Sequence, residues 1–179
     1  LEILKARKET RGGFRILDLC CGSGAIAVSL AYYLKKAKRK AAVLGSDISS
    51  DALEVAKENA RINGVDRQIR FVEGDLFGPF PKNRKDRGRK QFDMIVCNPP
   101  YIPTGVLPTL MREVREHEPL LALDGGEDGL DFYRRILEEA WRYLVEEGVL
   151  LLEIGYDQGI TVPLLAEEAG AYGPVEIIK

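Results

Sequence analysis

A short apolar run, Arg15-Ile16-Leu17-Asp18-Leu19, passes directly into Cys20-Cys21-Gly22-Ser23-Gly24 and then into a helical pattern. Few architectures accommodate that junction. A strand that ends on glycines and restarts as a helix lets the backbone approach a ligand closely, and the helix start offers unpaired N–H groups. From Ala25 to Lys36 the residues Ile26, Ala27, Leu30, Tyr33 and Leu34 recur at helical spacing. The alternation then continues along the chain. Ala41–Asp47 reads as a second strand. The next helix is expected to start on a capping box of Asp51 and Glu54 and to stop at Asn63-Gly64. Gln68–Val72 and Phe92–Cys97 read as a third and a fourth strand. A long amphipathic helix is expected over Asp128–Glu146, with Leu130, Tyr133, Leu137, Trp141 and Leu144 on its core face. Gly148–Ile154 reads as an apolar strand at the centre of a parallel sheet. A final helix (Gly159–Ala169) and the start of a sixth strand (Val175–Ile178) follow. Strands alternating with helices predict a doubly wound α/β domain over residues 1–179.

Composition narrows the function. The formal net charge is −2, with 30% charged and 45% hydrophobic residues, so no overall charge favours binding to nucleic acid. No apolar stretch approaches the ~20 residues of a membrane span. The charged opening run is not a signal peptide. Cys20, Cys21 and Cys97 are odd in number, two of them adjacent, which fits reduced thiols in the cytoplasm. They lack ligand-type spacing, so no metal is expected. The chain opens on Leu1, which reads as a piece of a longer protein.

Two stretches interrupt the rhythm. Lys82–Lys90 carries six basic residues and one acid and is expected to be a solvated loop. Pro99–Gly129 has too many prolines and glycines for one regular element, and long connections of that kind tend to be functional.

The chemistry-bearing residues fall where strands end. In doubly wound sheets ligands bind at the carboxyl ends of the strands, where the Asp18–Gly24 loop lies. Asp47 ends the second strand roughly twenty residues beyond that loop, a place from which an acid accepts both hydroxyls of a ribose. Asp75, in Gly74-Asp75-Leu76-Phe77, is placed to accept from an adenine amino group while Leu76 covers the ring. Asn98-Pro99-Pro100-Tyr101 ends the fourth strand. Its prolines stiffen the chain, so the Asn98 side chain and a backbone carbonyl project together as acceptors. Two adjacent acceptors match the two hydrogens of a planar NH2 group, and Tyr101 can stack on the flat group that carries it.

These successive segments resemble the motifs of class I S-adenosylmethionine-dependent methyltransferases that act on planar amino groups. Further segments are similar to the release-factor protein-(glutamine-N5) methyltransferase family: Glu113–Pro119, Leu121–Arg134 and Leu152-Glu153-Ile154-Gly155-Tyr156-Asp157-Gln158-Gly159. The resemblance implies a Rossmann-like catalytic domain with S-adenosyl-L-methionine as cofactor and S-adenosyl-L-homocysteine as product. It assigns Asp18, Cys20, Cys21, Gly22, Ser23, Gly24, Asp47, Ile48, Asp75, Leu76 and Asn98 to the cofactor. Asn98, Pro99, Pro100 and Tyr101 go to catalysis. The implied substrate is the glutamine of a Gly-Gly-Gln motif in peptide-chain release factors. The partner is then a protein; a membrane and direct binding to nucleic acid are not expected.

Three departures from the family pattern accompany the resemblance. Cys20 and Cys21 stand where Gly-Thr is usual, so the backbone at Cys20 is expected in a region that cysteine tolerates. The family's N-terminal helical docking domain and its final sheet strand are both expected to be missing from this chain. Rival readings are glutamine methylation of a ribosomal protein, methylation of an adenine or guanine amino group, and a cofactor-binding activator subunit. His117 is given no catalytic role, because no general base is needed before methyl transfer.

Overall fold

The computed structural model describes residues 12–80 and 92–178. The basic run Lys82–Lys90 lies outside the described residues. Those residues divide into two compact units. The first comprises the chain up to Cys97 together with Tyr143–Leu151, and the second comprises Asn98–Arg142 and the chain from Leu152 onward.

The first unit is built on a five-stranded sheet. Its strands are β1 (Phe14–Leu19), β2 (Ala41–Asp47), β3 (Ile69–Glu73), β4 (Phe92–Cys97) and β5 (Leu144–Leu152), in the order β3-β2-β1-β4-β5. β1 pairs in parallel with β2 and β4, and β2 pairs in parallel with β3. β1 is central, and Ile16, Leu17 and Leu19 have no exposed surface. An apolar run without alternation is what a strand covered on both faces requires.

Helix α1 (Ala25–Lys36) connects β1 to β2, and α2 (Ser50–Ile62) connects β2 to β3. α1 buries Ala27, Val28, Ala31 and Leu34, so small residues let the helix lie close to the sheet. Tyr33, expected on that face, is instead half exposed and meets Tyr32 edge-on. It sits about 100° around the helix from Leu34, off the alanine stripe. The core formed by α1, α2 and the strands includes Phe14, Ile16, Ala31, Val43, Ala60 and Met94.

The start of α2 differs from the expected Asp51–Glu54 box. Ser49 is the N-cap, and its hydroxyl accepts from Ala52 N at 3.2 Å. Glu54 pairs instead with Lys57 at 2.6 Å. The stop at Asn63-Gly64 is as expected. Gly64 N donates to Arg61 O at 3.0 Å and Val65 N to Ala60 O at 2.9 Å, the paired bonds of a Schellman end.

The expected Asp128–Glu146 helix is shorter. α5 spans Asp131–Glu139, a 3-10 turn follows over Ala140–Arg142, and β5 begins at Leu144. Tyr143 ends the helical stretch. Its ring stacks on Phe77 with centroids 4.7 Å apart, and its carbonyl accepts from Phe92 N at 2.7 Å. The tighter 3-10 turn rotates Trp141 off the apolar face, so it is 44% exposed rather than core, whereas Tyr133 is fully buried. β5 lies at one end of the strand order rather than at its centre, and its apolar residues are only half-buried.

The second unit packs α5 against α6 (Thr161–Glu168), and Tyr133, Ile136 and Leu137 of α5 and Val162 and Ala166 of α6 are buried. α6 is shorter than the expected Gly159–Ala169 by two residues at its start and one at its end. Val175–Ile178 forms no strand. That tail follows Pro174, which has no N–H to give a ladder. Before it, the Tyr172 hydroxyl donates to Leu137 O at 2.8 Å. Among the described residues no helix is long and apolar enough to cross a membrane.

Candidate active site

In the first unit the carboxyl ends of β1, β2 and β3 stand side by side, and the backbone laces them together. Cys21 N donates to Ser46 O at 3.0 Å, and Gly22 N donates to Asp47 Oδ2 at 2.8 Å. Gly74 N donates to Asp47 O at 2.8 Å. The loop after β1, the acid ending β2 and the turn carrying Asp75 are therefore brought together as the strand spacing predicts. Asp47 is half-buried, and its other oxygen accepts from Ser49 N at 2.9 Å. Each carboxylate oxygen keeps acceptor capacity beyond these bonds. Asp75 is exposed, Ile48 is 51% exposed, and Leu76 is buried with φ 45°.

Gly24 is required by geometry. It caps α1 at φ 77°, and a Cβ there would lie 3.0 Å from the Ala56 Cβ. Above Gly22, by contrast, a Cβ would meet nothing within 4 Å. The loop is braced from α2, where Asn59 donates to Ser23 O at 2.9 Å. Cys20 adopts φ 52°, inside the small left-handed region open to non-glycine residues. It thus takes the conformation a glycine would supply, at a cost of roughly 1–2 kcal/mol.

Asp18 is fully buried. Oδ2 accepts from Ala27 N at 2.8 Å, while Oδ1 has no partner. Burial pushes its carboxyl up to about 7 despite the Ala27 bond, and the nearby Asp47 charge adds to the rise. The cysteines cluster, as adjacency of β1 and β4 implies, with Leu19 opposite Cys97. All three are free thiols. Cys97 has no exposed surface, and burial, then its contact with Cys20, holds its thiol far above the usual range. Burial, followed by the charge of Asp18, does the same to Cys21.

The second unit holds Asn98–Tyr101. Asn98 is exposed, Pro99 and Pro100 are buried, and Tyr101 is half-buried. The long connection that follows contains a 3-10 turn (Thr104–Thr109) and two short helices, α3 (Arg112–His117) and α4 (Leu120–Leu123). Ile102 N donates to Leu123 O at 3.0 Å, and Gly125 N donates back to Ile102 O at 2.8 Å. The Thr104 hydroxyl and Gly126 N both donate to Asp124 Oδ1, holding that carboxyl below its ordinary range. Arg134 pairs with Asp128 ahead of α5 and lowers the Asp128 carboxyl likewise. His117 is exposed at the end of α3.

Sequence reasoning gave no role to Asn59 or Gln158. Gln158 is buried, and a polar residue in a turn just ahead of a helix was the available signal.

The sheet order and its laced carboxyl edge are those of a class I, Rossmann-like methyltransferase fold. A family model described as "Methyltransferase domain" matches residues 10–160, and the chain belongs to that family. Among curated proteins it is 45% identical over 95% of its length to the release factor glutamine methyltransferase of Agrobacterium fabrum, covering 55% of that protein. It is 46% identical over 99% of its length to the release factor glutamine methyltransferase of Moorella thermoacetica, covering 59% of it. The chain thus spans somewhat over half the length of these relatives. Among solved structures, TrmN from Thermus thermophilus superposes with TM-score 0.57 at 23% identity, covering 94% of this chain and 38% of that one. The ribosomal protein L11 methylase of Lactobacillus delbrueckii subsp. bulgaricus gives 0.55 at 22% identity, covering 89% and 62%.

Proposed function

We propose that this chain is the catalytic part of a protein-(glutamine-N5) methyltransferase, and that its two units act as one domain. In this reading it moves a methyl group from S-adenosyl-L-methionine to the side-chain nitrogen of the glutamine in a release factor's Gly-Gly-Gln motif. The observation that carries the reading is 45–46% identity, over almost the whole chain, to proteins named for that activity, with Asn98-Pro99-Pro100-Tyr101 intact. The proposed translational substrate and the free thiols support a cytoplasmic location.

The residues present fit the cofactor. Open space lies over Gly22, next to the half-buried acceptor Asp47, which suits a ribose. A buried carboxyl with an unpartnered oxygen, Asp18, suits a ligand bearing positive charge. In this assignment Asp18 and Cys20–Gly24 serve the methionine end, Asp47 and Ile48 the ribose, and Asp75 and Leu76 the adenine.

The bound cofactor supplies an electrophilic methyl group on a positively charged sulfur. An amide nitrogen is a poor nucleophile because its lone pair is delocalised. Asn98 Oδ1 and the Pro99 carbonyl accept its two hydrogens, fix its orientation and stabilise the positive charge that develops on it. Tyr101 stacks on the amide plane. With the cofactor bound, its methyl carbon would form the new bond to the held nitrogen as its bond to sulfur broke, the electron pair would stay on sulfur, and the nitrogen would release one proton. Orientation of this kind is worth up to ~7–11 kcal/mol.

Incubation with radiolabelled cofactor, a release factor and its Gln→Ala variant tests the substrate. Label is expected on the first protein and not the second; equal labelling would remove the assignment.

A further inference from the structure

We infer that Gln158 is a positioning residue that sets the exit of the Asn98–Tyr101 turn. The inference rests on the reading of that turn as the amide clamp. Gln158 is 6% exposed, and every polar atom of its side chain is engaged. Nε2 donates to Tyr101 O at 3.1 Å and to Gly129 O at 3.2 Å, while Oε1 accepts from Gly155 N at 2.8 Å. One amide therefore ties together three segments that are distant in sequence: the end of the turn, the glycine-rich stretch ahead of α5, and the turn ahead of α6.

The surroundings explain why a primary amide is needed there. Two carbonyls face Nε2 and one N–H faces Oε1, so the side chain must offer two donors and an acceptor in one plane. Only Asn and Gln do so. Gln158 is itself fixed, because its backbone N–H donates to Gly155 O at 2.9 Å and its carbonyl accepts from Val162 N at 3.1 Å. Gly129 makes room for the arrangement. At φ 75°, a Cβ would sit 2.4 Å from Tyr101 O and 3.2 Å from Gln158 Nε2. Gly125 admits the same backbone, since a Cβ there would lie 2.7 Å from Tyr101 Cα. Thus the Gly-Gly-Glu-Asp-Gly stretch and Gln158 form a single socket for the Tyr101–Ile102 backbone.

Clamp geometry depends on that socket. Pro99 and Pro100 are buried and anchor the middle of the turn, whereas Asn98 is exposed and Tyr101 half-buried, so the exit of the turn depends on its backbone hydrogen bonds. A misplacement of about 1 Å in a positioned group can cost about a hundredfold in rate. Gln158→Glu keeps the size and the acceptor for Gly155 but turns a carboxylate oxygen toward the Tyr101 and Gly129 carbonyls.

The test compares the parent chain with Gln158→Glu, and with Gln158→Ala, in which water can enter and restore the donors. Amide hydrogen exchange is followed at Ile102 and Gly125, with turnover measured on a Gly-Gly-Gln peptide and cofactor affinity by calorimetry. Gln158→Glu is expected to raise exchange at Ile102 and Gly125 at least tenfold and to lower kcat at least thirtyfold. The Kd for S-adenosylhomocysteine and exchange in α2 should stay within threefold. Gln158→Ala should fall between Gln158→Glu and the parent. Unchanged exchange at Ile102 and Gly125 would overturn the inference whatever the turnover. So would a kcat loss matched by equal loss of cofactor binding and of protection throughout the chain, the mark of a merely structural residue. A parent chain that leaves the peptide unmethylated would remove the proposed function instead, and the exchange result would still decide the role of Gln158.

Discussion

Gly22 donates its backbone N–H to Asp47 Oδ2 at 2.8 Å, so the acid ending the second strand also shapes the loop ending the first. With Ser49 N on the other oxygen at 2.9 Å, Asp47 is a brace before any ligand arrives. Asp47→Ala should weaken S-adenosylhomocysteine binding at least about tenfold, given roughly 1.5–3 kcal/mol per charge-assisted bond. Because two loop N–H groups lose their acceptor, it should also destabilise the fold by about 1–3 kcal/mol. Calorimetry and thermal melts check both; unchanged affinity would reject the ribose role.

Asp18 makes stability depend on pH. Its carboxyl stands near pH 7 in the folded protein against 3.8 ordinarily. Between these values the unfolded chain has released the proton and the folded chain still holds it. Unfolding therefore becomes easier as pH rises through this window, by up to about 4 kcal/mol. Asp18→Asn keeps an acceptor for Ala27 N and removes the titration. Parent-minus-variant stability from denaturant melts should fall from pH 4 to pH 7 and flatten above it. A pH-independent difference would contradict the buried, poorly solvated carboxyl.

The thiols should react in the order of their exposure. Cys20 is half-buried, Cys21 buried and Cys97 wholly enclosed. Alkylation is expected at Cys20 first and at Cys97 only as fast as the sheet opens. Bound S-adenosylhomocysteine should slow the Cys20 reaction. Peptide mapping that finds equal rates at all three, with and without ligand, would count against the placement of the loop.

Much of this was legible from residue order because the signals are local. α1 and β2 lie over the expected spans, and Asn63-Gly64 stops α2, since spacing and end residues decide such features within a few positions. The end of the long helix is not legible from periodicity, because the apolar spacing continues through Trp141 and Leu144 while Tyr143 is drawn into the sheet unit by Phe77 and Phe92. That is a tertiary contact, absent from any periodicity. Trp141 leaves the core because the helical stretch tightens into a 3-10 turn over Ala140–Arg142 before Tyr143. Gln158 shows another limit. Its partners Tyr101 and Gly129 lie 57 and 29 residues away, and only the folded backbone brings those carbonyls to one amide.

Asn98→Ala should separate binding from turnover. If Asn98 chiefly orients the reacting amide, the variant should lose at least about a hundredfold in kcat, while affinity for S-adenosylhomocysteine stays within a few-fold. Steady-state kinetics at saturating peptide, beside calorimetry, reads both. Near-normal kcat would put the clamp elsewhere.

The proposed reaction makes one bond, from a methyl carbon to a glutamine side-chain nitrogen. Its most direct test is fragmentation mass spectrometry of a Gly-Gly-Gln peptide after incubation with this chain and S-adenosylmethionine carrying an isotopically labelled methyl group. A single labelled methyl on the glutamine side chain, absent from a Gly-Gly-Glu control, is the predicted result. Labelled methyl on the backbone or the terminal amine, or equal transfer to the control, would contradict it.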